Sequence, residues 1–249
     1  MAARSEPSLK EVSSGSNRKQ RWLGVALLSA AVAVLFGHPY LIEAIGLRSY
    51  HGLRIDRPAY NFQLRDVQGD ITTLRSFRGQ PLLVFFGYSN CTGICYPALH
   101  ELNAVALDAD IQNVLRKSRQ QVSSQPQPQL QSAQYVKETE LLVLFISIDP
   151  ARDGVPELKR LEELYGSHFI ALRSGAETTR SVAARYLTMY EYNESAVADG
   201  RMDQFAHPGT ALFIDANGQL QFIFTEIDSA MIKSDLSFFF AKFTDVREE

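Results

Sequence analysis

At 249 residues, 45% hydrophobic and 21% charged, the chain has room for one large domain or two small ones and the make-up of an ordinary globular protein. A formal net charge of −3, with no basic stripe interleaved with aromatics, gives no electrostatic case for nucleic acid as a partner. Two cysteines are too few for a disulfide-rich scaffold, and both fall in one short stretch, so their setting matters more than their number.

Residues 1–21 form a polar tail containing Arg4, Lys10, Arg18, Lys19 and Arg21. The uncharged run "WLGVALLSAAVAVLFG" follows from Trp22, and its continuation to Ile42 reaches the ~20 residues that span a bilayer. The basic lead predicts an anchor over 22–42, with the N-terminus in the cytoplasm or matrix and the remainder exported. A cleaved signal peptide is the rival reading, because "SAAVA" carries small residues at cleavage-like spacing. A buried soluble helix is the third. Either export reading puts the cysteines where disulfides persist. Residues 43–57 read as a linker.

Beyond the linker the pattern is α/β, over an expected single domain at 58–246. "YNFQLRDVQGDITTL" alternates around Gln68-Gly69-Asp70 and predicts a hairpin. "PLLVFFG" is a continuous apolar run, as in a central strand buried on both faces. Pro97 suits a first helical turn, with Leu99, Leu102, Val105 and Ala106 recurring behind it at helical spacing. Ser118–Gln134 is rich in Gln, Ser and Pro and is expected to be a mobile surface loop. "ELLVLFISID" predicts a second buried strand, adjacent and parallel to the first. A helix at "VPELKRLEELYG", a strand at "HFIAL" and a helix at "AETTRSVAARYLTMY" come next. Two strands flank the turn Asp215-Ala216-Asn217-Gly218, and "SAMIKSDLSFFFAKF" closes the chain as an amphipathic helix. The alternation predicts one mainly parallel or mixed sheet with helices on both faces.

In "FFGYSNCTGICYP" the thiols of Cys91 and Cys95 lie between a buried strand and a helix N-terminus. A helix N-terminus favours thiolate, which is both nucleophile and metal ligand. Spacing i, i+4 lets the pair close a disulfide, exchange thiols with a client, or grip one soft ion. A metal would need a third ligand from elsewhere, and a closed tetrahedral zinc site a fourth, which the sequence does not offer. Of the five histidines, His38 and His51 fall in the anchor and linker. His100 is turned away on its helix, and His168 reads as an ordinary surface or edge residue. His207 stands before a strand far along the chain. Asp149, Arg152 and Asp153 read as a turn stabilised by an Asp cap and an ion pair.

The segment "NFQLRDVQGDITTLRSFRGQPLLVFFGYSNCTGICYP", with "FISIDPARD" and His207 ahead of the last hairpin, resembles the Sco/SenC family of thioredoxin-fold copper chaperones. The resemblance covers roughly residues 59–245. It implies an α/β thioredoxin-like fold, with a central mixed sheet flanked by helices behind one N-terminal transmembrane helix. It implies copper as the metal, Cys91, Cys95 and His207 as ligands, and the cysteines as a redox pair. The implied role is delivery of copper to a respiratory oxidase subunit that carries a copper site, or keeping that site reduced, during assembly. The implied location is the inner membrane, with the domain in the periplasm or intermembrane space. The second reading is a thiol–disulfide oxidoreductase or redox sensor that uses the pair on a thiol partner without copper. The family usually carries Pro-Asp where this chain has Thr92-Gly93, Pro directly after the second cysteine where it has Tyr96, and an acidic residue beside the histidine where it has Ala206.

Overall fold

The structure is a computed structural model, and it describes residues 49–91, 93–122, 141–192, 205, 206 and 208–245, together with Trp22 and Ser29. The chain divides into a unit at 1–49 and a compact unit at 50–249. Trp22 and Ser29, in the first, are helical. The rest of the expected anchor lies outside the described residues. Among the described residues no helix is long and apolar enough to cross a membrane.

The second unit is organised around β4 (Leu82–Gly87) and β5 (Leu142–Ser147), whose residues are all buried. Runs without polar alternation suit strands whose two faces are both covered. They pair in parallel, register Leu82 with Leu142 through Gly87 with Ser147, as the sequence predicts. The connection between them holds α1 (Cys95–Ala106) and α2 (Ala109–Val122). After β5 come α3 (Val155–Tyr165), β6 (Phe169–Leu172) and α4 (Ala176–Arg185). Strand β6 extends the parallel part beside β5.

On the other side of β4 lies the antiparallel hairpin of β9 (Ala211–Ile214) and β10 (Gln219–Phe224). Its turn carries Gly218 at φ 73, a left-handed conformation that glycine adopts without Cβ strain. With β1 (Leu53–Pro58) at one edge, the sheet order is β1-β10-β9-β4-β5-β6, a mixed sheet. Smaller pairs join β2 (Gln63–Arg65) to β3 (Ile71–Thr73), and β7 (Glu191–Tyr192) to β8 (Phe205–Ala206). Helix α5 (Ser229–Asp245) closes the chain.

Four expectations need correction. The linker reading ends too late, because Leu53–Pro58 is β1 and pairs with β10 along the sheet edge. His51 and the Gly52 amide are tied to the buried Asp235 carboxylate at 2.9 and 2.8 Å, so α5 holds this segment down. Residues 118–122 belong to α2 rather than to the expected Gln-rich loop, and residues 123–134 lie outside the described residues. Helix α4 stops at Arg185 rather than near Tyr190, where Leu187 turns left-handed at φ 60. His168 is 4% exposed, not a surface residue, and its Nε2 lies 2.8 Å from Asn103 Oδ1 on α1.

Candidate metal and redox site

Strand β4 delivers the chain to the site. It ends at Gly87, whose missing side chain is a structural requirement: a Cβ there would lie 2.8 Å from Phe85, 3.0 Å from Phe145 and 3.2 Å from Cys95 Sγ. The sulfur therefore rests against the bare backbone at the end of the central strand. The chain then turns, with Cys91 N–H donating to Tyr88 O at 3.3 Å, and α1 begins at Cys95. No acidic residue occupies the first turn of α1, so the positive end of the helix dipole at Cys95 is not offset there.

Cys91 and Cys95 are 3% and 1% exposed, and they are thiols rather than halves of a disulfide. Their side chains are hydrogen-bonded to each other. That contact, followed by burial, pushes the Cys95 thiol well up from its ordinary value, while an N–H from Tyr88 opposes the rise. The sequence predicts the reverse, a helix terminus favouring thiolate. The dipole is outweighed because the neighbouring sulfur stabilises the proton and the core penalises the charge. Such a pair keeps at least one proton until a disulfide forms or a cation replaces it.

The turn after β5 braces the thiol loop. Arg152 Nε lies 2.5 Å from Asp149 Oδ2, the ion pair expected from the sequence. Asp153 does something the sequence reading missed. It is 0% exposed and accepts hydrogen bonds from Ser89 N–H at 3.1 Å, Ser89 Oγ–H at 2.5 Å and Ser147 Oγ–H at 2.5 Å. Burial pushes its carboxyl above the usual carboxylate range, against the pull of those donors. Tyr96, which stands between the second cysteine and Pro97, donates its hydroxyl to Ser89 O at 3.0 Å. A groove of about 150 Å³ opens beside the loop, between Ser89, Asn90 and Tyr96 on one side and Leu161 and Leu164 of α3 on the other.

His207 and Thr92 lie outside the described residues. The residues on either side of His207 are placed. Phe205 packs its ring 5.3 Å from Tyr88, 5.9 Å from Tyr190 and 5.3 Å from Tyr192. The Arg152 guanidinium lies 5.9 Å from the same ring. On the far side, a Cβ at Gly209 would come within 3.0 Å of Ile94 Cδ1. Positions 205 and 209 thus touch Tyr88 and Ile94, which bracket Cys91. Among the described residues no cluster of three or more His, Cys, Asp or Glu side chains is set to hold a metal. Two buried, adjacent sulfurs suit a soft, low-coordinate cation such as Cu(I) in donor type.

A reduced dithiol at the strand-to-helix turn of a mixed sheet, with helices over the sheet, defines a thioredoxin-like thiol protein. The SCO1/SenC family model matches residues 55–123 and 121–235, and the chain belongs to that family. It is 29% identical over 140 residues to "Protein SCO2 homolog, mitochondrial" of Danio rerio, covering 56% of this chain and 42% of the relative. It is 24% identical over 159 residues to "SCO2-like protein" of Rickettsia felis, covering 64% and 65%. The chain therefore spans less than two thirds of these relatives' length. Among solved structures, copper-bound ScoI of Arabidopsis thaliana superposes with a TM-score of 0.56 at 18% identity, over 74% of this chain and 98% of that one. Apo Sco1 of Thermus thermophilus gives 0.55 at 20%, over 77% and 97%. These likenesses establish the shared fold.

Proposed function

We propose that this chain is a membrane-anchored copper carrier. Cys91 and Cys95 bind Cu(I) as thiolates, and His207 completes a soft three-ligand site. The cargo is delivered to the copper site of a respiratory oxidase subunit during assembly, or that site is kept reduced by the same thiols. The observation that carries the reading is the seating of the two loops. Phe205 and Gly209, two residues to either side of His207, pack on Tyr88 and Ile94, which flank Cys91. Family membership supports it, as does the copper bound by Arabidopsis ScoI. BsSco, similar at a TM-score of 0.51 and 16% identity, is described as a member of a family of cytochrome c oxidase assembly proteins.

The chain's own groups perform three tasks in this reading. Cys91 and Cys95 exchange their protons for the cation, the bare backbone of Gly87 gives the Cys95 sulfur its seat, and the surrounding core keeps water from the pair. The anchor is the run from Trp22 to Ile42, and it holds the domain at the inner membrane, facing the periplasm or the intermembrane space. The basic residues before that run support this orientation. The mitochondrial name of the zebrafish relative agrees with such a compartment.

A second reading, thiol–disulfide exchange without copper, draws on the hydrogen bond between the two thiols. It needs no third ligand. The deciding experiment is competition of reduced wild-type and His207→Ala proteins against a Cu(I) chelator. The copper reading expects at least about a tenfold loss of affinity in the variant, ~1.4 kcal/mol, with the disulfide still forming. Equal affinities would leave His207 structural and move the assignment to the oxidoreductase.

A further inference from the structure

We infer that Asp153 is a positioning residue for the thiol pair: its buried carboxylate pins Ser89 and thereby holds the Cys91–Cys95 loop in the geometry where the two sulfurs meet. The inference deepens the copper-carrier reading, resting on it for the assignment of the working pair.

The geometry has three parts. Asp153 has no exposed surface, yet both its oxygens point across the sheet end into the thiol loop. One oxygen takes the N–H and the hydroxyl of Ser89; the other takes the Ser147 hydroxyl at the end of β5 and lies 3.2 Å from the same Ser89 N–H. The chain supplies the rigid base for this reach. Asp149 is paired to Arg152, and the Arg152 and Asp153 amides both return to Asp149 O, at 3.1 and 2.9 Å. Ser147 Oγ in turn accepts from Asp149 N–H at 3.2 Å.

A turn needs no buried carboxylate to be stable, and burying one costs free energy unless it is fully hydrogen-bonded. The donors that satisfy this one are a serine hydroxyl at the strand end and two groups of a single loop residue. Ser89 sits two positions before Cys91, and its own carbonyl receives the Tyr96 hydroxyl next to Cys95. Fixing Ser89 therefore fixes the start of the loop and one contact at its end. What the pin controls is the effective concentration of one sulfur at the other.

That quantity can be read without metal. Equilibration with glutathione converts the dithiol and one glutathione disulfide into the protein disulfide and two glutathione thiols. Two S–H bonds break and one S–S bond forms in the protein, and the reverse occurs in glutathione. The equilibrium constant is to be measured for wild type, Asp153→Ala, Asp153→Asn and Ser89→Ala, with thermal melts alongside. Asp153→Ala should lower the constant for disulfide formation at least about tenfold, which is roughly 30 mV for this two-electron couple. Asp153→Asn should stay within about threefold of wild type, because the amide oxygen can still accept from Ser89 and its nitrogen can donate to Ser147. Ser89→Ala should fall in the same direction as Asp153→Ala, and it decides the matter if the latter does not fold. Constants for Asp153→Ala and Ser89→Ala within threefold of wild type would overturn the inference. So would an Asp153→Asn constant as low as that of Asp153→Ala, since charge rather than the pin would then govern. Wild-type protein that binds no copper would sink the carrier reading and leave this measurement to be judged separately.

Discussion

The rings of Phe205 and Tyr88 pack with centroids 5.3 Å apart and planes at 59°, which ties the short strand before His207 to the loop carrying the thiols. The contact is not an isolated pair. Tyr190, Tyr192 and the Arg152 guanidinium surround the same ring, so Phe205 is held by four side chains from three parts of the chain. Tilted aromatic pairs of this kind contribute ~0.5–1.5 kcal/mol each beyond the area they bury.

Phe205→Ala should therefore loosen the short strand that precedes His207 while leaving the thiol loop pinned through Asp153 and Tyr96. Cu(I) affinity in chelator competition is expected to drop several-fold. The glutathione equilibrium of Cys91 and Cys95 should stay near wild type. A variant that kept full copper affinity would mean that the Phe205 seat has no bearing on the site.

Gly87 yields a second expectation. An alanine there places a methyl 2.8 Å from Phe85 and 3.2 Å from Cys95 Sγ, inside contact distance on both sides. Strand β4 is buried on both faces and cannot bow outward. Gly87→Ala should cost ~1–3 kcal/mol in urea unfolding, the usual range for overpacking. It should also displace the Cys95 sulfur, weakening disulfide formation in the folded protein. A stable variant with unaltered thiol chemistry would show that the sulfur does not rest on this backbone.

Much of this site was open to sequence reasoning, for identifiable reasons. "PLLVFFG" and "LLVLFISID" have no polar alternation, so their central placement follows from burial, and the helical crossover between them makes the pair parallel. The thiol pair at the strand-to-helix turn was legible because Pro97 and the following periodicity mark the helix start. Asp153 was not. A "DPARD" turn offers two carboxylates to one arginine, and only the folded chain distinguishes Asp149, which takes Arg152, from Asp153, which reaches Ser89 far back in the sequence. The edge strand Leu53–Pro58 escaped for a similar reason. Its partner is β10 near the far end of the chain, and its own residues alternate too weakly to announce a strand. Phe205 carries no local signal, since its role consists entirely of rings brought to it by other segments.

The start of α5 makes a pH-dependent prediction. Glu101 on α1 receives the side chain and the backbone N–H of Ser229, the latter at 2.9 Å, and so satisfies donors that the first turn of α5 leaves open. Those hydrogen bonds hold its carboxyl below the ordinary value of 4.5. A folded value below the unfolded one means that the unfolded chain binds the proton first. The contribution is present above the ordinary value and is lost as pH falls through the folded one. Glu101→Gln should lower the urea midpoint at neutral pH, and the gap to wild type should close in acid. A gap equal at both pH values would assign the effect to packing rather than to the carboxylate.

The thiol pair itself makes the last prediction. The Cys95 thiol is pushed up by its hydrogen bond to Cys91 and by burial, so it holds its proton throughout the neutral range. A group raised in the metal-free protein must give up that proton when a cation takes its place, because the thiolate is the ligand. Protons are thus released on uptake, and apparent affinity rises with pH, by up to tenfold per unit for each proton released. Chelator competition between about pH 6.5 and about pH 8.5, corrected for the chelator's own protonation, should give a rising line with a slope between one and two. In the copper-carrier reading, Cys91→Ser should lower both the affinity and the slope, since one proposed ligand and one exchangeable proton leave together. A flat line for wild type would mean that both sulfurs are ionised before the cation arrives, and the proton shared between the two buried thiols would then have no part in binding.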